Sequence, residues 1–117
     1  MSFVEKIYSL TKDFPVEERF GLIAQLRRAS VSVASNIAEG AARQTTKEKI
    51  QSYYIARGSL SEVDTQLEIS HRLGLIDTEQ RHAAIEDLDE VGRLLNGLIE
   101  SKKGISLTHS LTSSLSH

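Results

Sequence analysis

Two tetrads, Glu68-Ile-Ser-His71 and Glu79-Gln-Arg-His82, carry the carboxylate and imidazole spacing that helical di-iron sites use. In such sites two Glu-x-x-His motifs and two further glutamates project into one core. Facing therefore decides whether chemistry follows. On a helical projection His71 falls on an apolar face, with Glu68 at its flank. Glu79 and His82 fall off the apolar stripe of their own helix, toward solvent. Matching mid-helix carboxylates are missing, because Glu17 and Glu18 sit at a helix start. The expectation is a hydrogen-bonded core or interface His71, with no metal and no cofactor. Glu39 and Glu62 form the other conceivable carboxylate pair, but both face away from the core, where partner contacts or a polar network suit them better. No Gly-rich phosphate loop, Gly-x-Ser-x-Gly elbow or Ser/His/Asp order is present. The chain has no cysteine, which excludes disulfides, Cys-ligated zinc, iron–sulfur clusters and thiol catalysis. An enzyme is not expected.

Two other groups have chemistry suited to binding. Asn36, Glu39, Gly40, Arg57, Gly58, Ser59, Glu62 and Gln66 mix amides, ion-pairing side chains and small residues. Such groups commonly fix the register of an interface. Arg27, Arg28, Arg43, Lys47 and Lys49 form the candidate basic patch for nucleic acid. Residues 1–57 carry nine Lys/Arg against six Asp/Glu, or +3, and residues 58–117 carry five against ten, or −5. A strongly nucleic-acid-bound domain usually has a large basic excess. With a net charge of −2, any such binding is expected to be weak and salt-dependent.

The elements that must position these groups are helices. Strand signals are nearly absent. Phe3, Ile7, Leu10 and Phe14 recur at helical spacing and predict helix 1 to about Asp13. Pro15, the only proline, suits the first turn of the next helix. Helix 2 is predicted over 16–43, with Leu22, Leu26, Ala29, Val33 and Ile37 on one face. Thr45-Thr46-Lys47-Glu48 is a capping pattern opening helix 3, which runs to about Leu73, where Gly74 can take the left-handed cap position. Asp77-Thr78-Glu79-Gln80 repeats the pattern for helix 4. Its stripe is Ile85, Leu88, Val91, Leu95 and Ile99, and Gly104 is its expected end. Short connections make each helix antiparallel to the last. The fold expected is all-α, an up-down-up-down antiparallel four-helix bundle over 1–103, with a short first helix and a loosely ordered Ser/Thr-rich tail over 104–117. No apolar run reaches the roughly 18 residues of a membrane span, so a cytoplasmic location is the default.

The middle helices carry two apolar faces. On helix 3, Tyr53, Ala56, Leu60, Val63 and Leu67 share one face, while Ile55, Gly58, Glu62, Ile69 and Leu73 lie nearly opposite. Helix 2 has a second row of Phe20, Ala24, Val31, Ser35, Ala38 and Ala42. The back of helix 4 instead carries Glu86, Asp89, Glu90, Arg93 and Glu100. A surface helix in a monomer needs only one apolar stripe. Helices 2 and 3 are therefore expected to bury a second face against other copies of the chain.

Three stretches carry a family resemblance. They are Phe14-Pro15-Val16-Glu17-Glu18-Arg19-Phe20-Gly21-Leu22, then Gln25-Leu26-Arg27-Arg28-Ala29 with Ser35-Asn36-Ile37-Ala38-Glu39-Gly40. The last is Ala56-Arg57-Gly58-Ser59-Leu60 with Glu62 and Thr65-Gln66-Leu67. Over about residues 3–76 the chain resembles the four-helix-bundle proteins encoded in intervening sequences of 23S rRNA genes. That family also includes relatives of the accessory variability protein of diversity-generating retroelements. The resemblance implies a ring-shaped homopentamer, and for the retroelement relative it implies contact with nucleic acid and a reverse transcriptase. Members usually begin with a longer helix 1 bearing a Leu-x-Val-Trp-Gln segment. Here the chain opens at Met1-Ser2-Phe3, about two turns short, so a truncated or mis-assigned start is expected. The net charge of −2 argues against binding of the retroelement kind. Two functions are therefore expected in order: a homo-oligomeric scaffold contacting RNA, DNA or a nucleic-acid-processing protein, then a protein–protein interaction module.

Overall fold

In the computed structural model the backbone is described for residues 2–115 and the side chains for residues 2–104. Four α-helices follow one another: α1 (Phe3–Thr11), α2 (Ala24–Ala42), α3 (Thr46–Arg72) and α4 (Thr78–Leu115). Each start has a local cause. Ser2 caps α1, accepting from the Glu5 N–H while the Glu5 carboxylate accepts from the Ser2 N–H. Thr45 caps α3 by accepting from the Glu48 N–H. Asp77 and Gln80 cap α4 reciprocally, at 2.7 and 2.9 Å. Gly74 turns the chain between α3 and α4 at φ +76°, a conformation that favours glycine.

Helix 2 is shorter than its sequence pattern predicts. A 3-10 turn at Val16–Glu18 and a wide turn at Arg19–Ile23 precede α2, and Gly21 inside the wide turn is non-helical, with φ −102° and ψ −113°. The Glu18 carboxylate accepts from the Leu22 N–H across this break, so a side chain replaces part of the helical ladder. Helix 4 is longer than expected, because the helical backbone passes through Gly104 to Leu115. One glycine inside a helix costs about 1 kcal/mol relative to alanine and does not compel an end. The side chains of the tail, and with them the expectation of loose order there, lie outside the described residues.

Contacts along the chain fix an antiparallel arrangement. Arg27 on α2 reaches Tyr8 and Thr11 on α1. Ser32 and Arg28 on α2 meet Ser59 and Glu62 on α3. Glu68 near the end of α3 meets Arg81 near the start of α4, and Arg57 meets Asn96 farther along. Lys6 of α1 closes the bundle on Asp87 of α4 at 2.8 Å. The core is drawn from the predicted stripes, whose members Phe3, Leu10, Leu22, Ile37, Ile85 and Val91 are only partly buried against it. Ile7, Phe14, Leu26, Ala29, Val33, Tyr53, Ala56, Leu60, Val63, Leu67, Leu88, Leu95 and Ile99 are buried, and Ile76 joins them from the α3–α4 turn. Short α1 leaves a groove beside α4 lined by Phe3, Lys6, Leu10, Ala84 and Asp87.

The second faces of α2 and α3 are open in the single chain. Phe20, Val31, Ile55, Ile69 and Leu73 are large apolar side chains left 41–88% exposed. Ala24, Ser35, Ala38 and Ala42 are exposed along the same face of α2.

Candidate functional site

The two Glu-x-x-His tetrads come near each other at the α3–α4 junction without forming a ligand set. Glu68 is held by Arg72 at 2.9 Å and by Arg81 at 2.6 Å. These contacts, the Arg72 hydrogen bond first, keep its carboxyl below the usual glutamate range. His71 is half-buried, with Nε2 3.4 Å from the Thr78 hydroxyl at the entrance to α4. It is thus a hydrogen-bonded junction residue, one position along from fully buried Ser70. Glu79 is exposed, and His82 pairs with Glu86 on the outer face of α4. Among the described residues no three His, Asp or Glu side chains converge.

The polar group on the middle helices divides in two. Between α2 and α3, the Ser32 and Ser59 hydroxyls lie 2.7 Å apart, and the Asn36 amide donates to the Ser32 carbonyl at 2.9 Å and to its hydroxyl at 3.3 Å. Arg28 bridges Gln25 and Glu62 at 2.9 and 3.1 Å on the outer side of the same seam. These contacts set the register of α2 against α3 within one chain. Gly40 acts there too, because Tyr53 packs directly on it. Glu39 stays outside the network and faces Arg43 on its own helix at 3.8 Å. Gly58 has open space around its Cα. Gln66 is half-buried, and its carbonyl oxygen is buried with no hydrogen-bond partner among the described residues. An unmet buried acceptor costs about 1–3 kcal/mol.

The five predicted cations do not form one patch. Arg28 and Arg43 are 15 positions apart on α2, about 22 Å at 1.5 Å per residue. Arg27 stacks 4.5 Å over the Tyr8 ring, and its Nε donates to Thr11 at 2.9 Å, so it ties α1 to α2. Lys49 donates to the carbonyls of Gly40 and Ala41 at the end of α2, where a cation complements the helix dipole. Arg43 and Lys47 remain exposed at the α2–α3 turn.

A neighbouring group was missed in the sequence because its members come from distant segments. Tyr54 on α3 carries Arg57 at 4.8 Å and Lys103 of α4 at 5.3 Å from its ring centroid. Arg57 Nη1 also donates to Asn96 Oδ1 at 3.2 Å. A shallow groove beside Tyr54 is lined by Lys47, Ile50, Gln51 and Ile55. The Tyr54–Arg57 pairing at i, i+3 was available as a sequence signal. The approach of Lys103 was not.

Comparison with known proteins now bears on these surfaces. A family model described as 23S rRNA-intervening sequence protein matches residues 1–97. No curated protein matches the chain. Among solved structures it is similar to a protein with unknown function from the S23 ribosomal protein family of Bacteroides thetaiotaomicron. The two are 25% identical with a TM-score of 0.72, over 82% of this chain and 87% of that one.

Proposed function

The chain belongs to the 23S rRNA-intervening sequence protein family, and from that premise we propose a non-enzymatic homo-oligomeric scaffold, five subunits in a ring, that contacts RNA or a nucleic-acid-processing protein in the cytoplasm. The observation that carries the assembly is the pair of open faces on α2 and α3. Phe20 is 88% exposed and Leu73 61%, values that a lone small bundle has no reason to keep in one apolar surface. Small side chains at Ala24, Ala38 and Ala42 let a neighbouring helix approach α2 closely, and Ile55, Ile69 and Leu73 offer bulk on α3. Unlike faces meeting each other give a heterologous contact, which makes a ring when its rotation closes. Among the described residues no helix is long and apolar enough to cross a membrane. Kinship with the retroelement accessory protein stands on the sequence resemblance alone.

Light scattering on wild type and on Ala38→Glu tests the assembly. Wild type is expected to run as an oligomer at micromolar concentration, and Ala38→Glu as a smaller species, since an unpaired buried charge is strongly unfavourable. A stable wild-type monomer would sink the scaffold reading. Contact with RNA is expected to be weak and salt-dependent, led by Arg43 and Lys47, whose repetition around a ring adds avidity. A protein–protein module without nucleic acid is the second reading. The exposed acidic back of α4, at Glu86, Asp89, Glu90 and Glu100, favours it. An Arg43→Glu, Lys47→Glu double variant should bind RNA more weakly than wild type across a salt series, and no RNA binding by wild type even at low salt would support that module instead.

A further inference from the structure

The RNA reading above leaves open where a strand would lie, and what kind of strand. From the α3–α4 flank we infer that Tyr54 is a stacking platform for single-stranded nucleic acid, with Lys47, Arg57 and Lys103 holding the phosphates. This rests on the proposed RNA contact and adds its site.

The turn end of the bundle concentrates positive charge. Arg43, Lys47, Lys49, Arg57, Lys102 and Lys103 lie on 43–57 and 102–103, against Glu39, Glu48 and Glu100 nearby. The chain as a whole is net −2, so the excess is local. Among the described residues neither Lys47, Arg57 nor Lys103 has a carboxylate partner. Cations left free around an aromatic ring match a polyanion that also carries flat bases. Tyr54 is 37% exposed at the mouth of the groove. Arg57 is held by Asn96 and keeps its guanidinium beside the ring. Arginine planes in this setting both stack bases and reach phosphate. Lys103 is exposed, and its flexible stem can exchange the ring for a phosphate oxygen. The groove is shallow and its floor is Ile50 and Ile55, which suits an unstacked base and offers no depth for a duplex.

Tyr54, Arg57 and Lys103 lie on the α4 side of α3, whereas Gly58, Ile69 and Leu73 lie on the outer side. Ile69 and Leu73 stand 15 and 19 positions from Tyr54 toward the other end of α3, about 22 and 28 Å at 1.5 Å per residue, so that part of the apolar face can be covered while the platform stays open. In a ring each subunit repeats the platform.

The test uses the full chain and a labelled oligouridylate of about a dozen nucleotides, read by fluorescence anisotropy, with a hairpin duplex as comparison. Expected is preference for the single strand, with Tyr54→Ala about tenfold weaker and Tyr54→Phe close to wild type, as loss of one stacked base predicts. Lys47→Ala with Lys103→Ala should lower the salt slope by about 1.4, at roughly 0.7 per single-strand phosphate contact. Because these side chains are exposed, thermal melts of all variants should match wild type. Wild-type binding that Tyr54→Ala leaves unchanged would refute the platform while sparing the RNA reading. No wild-type binding at low salt would refute both. Displacement of the oligouridylate by polyglutamate at equal charge concentration would replace the strand by an acidic protein partner.

Discussion

At the residue scale the sharpest constraint is the approach of α2 to α3 at Gly40. A Cβ there would lie 2.4 Å from Tyr53 Cε1 and 2.8 Å from Cδ1, and Tyr53 is only 3% exposed. The ring cannot swing away without opening the core. Gly40→Ala should therefore destabilise the fold by roughly 1–3 kcal/mol as overpacking, against a helix-propensity gain of about 1 kcal/mol. Urea denaturation of Gly40→Ala, Tyr53→Leu and the double variant measures the coupling. Less-than-additive loss is expected, because removing the ring makes room for the methyl. Strict additivity would mean that the two residues do not meet in solution. The sequence marked Gly40 as part of an interface or polar network, without naming its neighbour. Glycine among alanines reports that something comes close, and which neighbour arrives is a long-range property. Ser59 and Glu62 were marked in the same group, and they too join helices of one chain, while Asn36 braces Ser32 on its own helix. The platform around Tyr54 was illegible for want of that same long-range information, since Lys103 stands 49 positions away.

Elements were legible wherever periodicity and capping chemistry acted together. The stripes Tyr53, Ala56, Leu60, Val63, Leu67 and Leu88, Leu95, Ile99 are buried as their spacing predicts, and Thr45 and Asp77 cap where their patterns fall. The break before α2 was not legible, because Leu22 and Ile23 continue the apolar period straight through Gly21. At the α3–α4 junction, Glu68 fastens the hairpin by its hydrogen bond from Arg72 and its contact with Arg81. Its folded carboxyl titrates below the ordinary range. The sign follows from linkage: the fastening is present above the unfolded value of about 4.3 and is lost as pH falls through the lower folded value. Glu68→Gln should thus lower the urea midpoint slightly at about pH 7, and the gap from wild type should shrink as pH falls below the ordinary glutamate range. The effect is small because the partners are 36–76% exposed. A gap between wild type and variant that persists unchanged into acid would show that packing, not charge, holds the junction.

The whole molecule is a rod of 64 × 23 × 22 Å with a radius of gyration of 17.4 Å, against about 13 Å for a compact globule of this length. Its long axis is set by α4, whose 38 residues extend about 57 Å. A rod this thin has one buried line and broad flanks. Two of those flanks, on α2 and α3, are apolar, and one, on α4, is acidic. Side chains on the apolar flanks bear little on the single chain, since Ile69 is 42% and Leu73 61% exposed. They matter greatly if another copy covers them. Ile69→Asp with Leu73→Asp separates these cases. In the assembled state wild type should melt at a temperature that rises with protein concentration, because subunit binding stabilises the fold by mass action. The double variant should lose that dependence and melt at every concentration near the dilute-limit value of wild type, since its changes touch only solvent-exposed positions of the lone bundle. A variant that melts far lower even when dilute would place these residues in the fold itself. A wild type whose melting is independent of concentration, with a monomer mass, would leave the apolar flanks to a different partner.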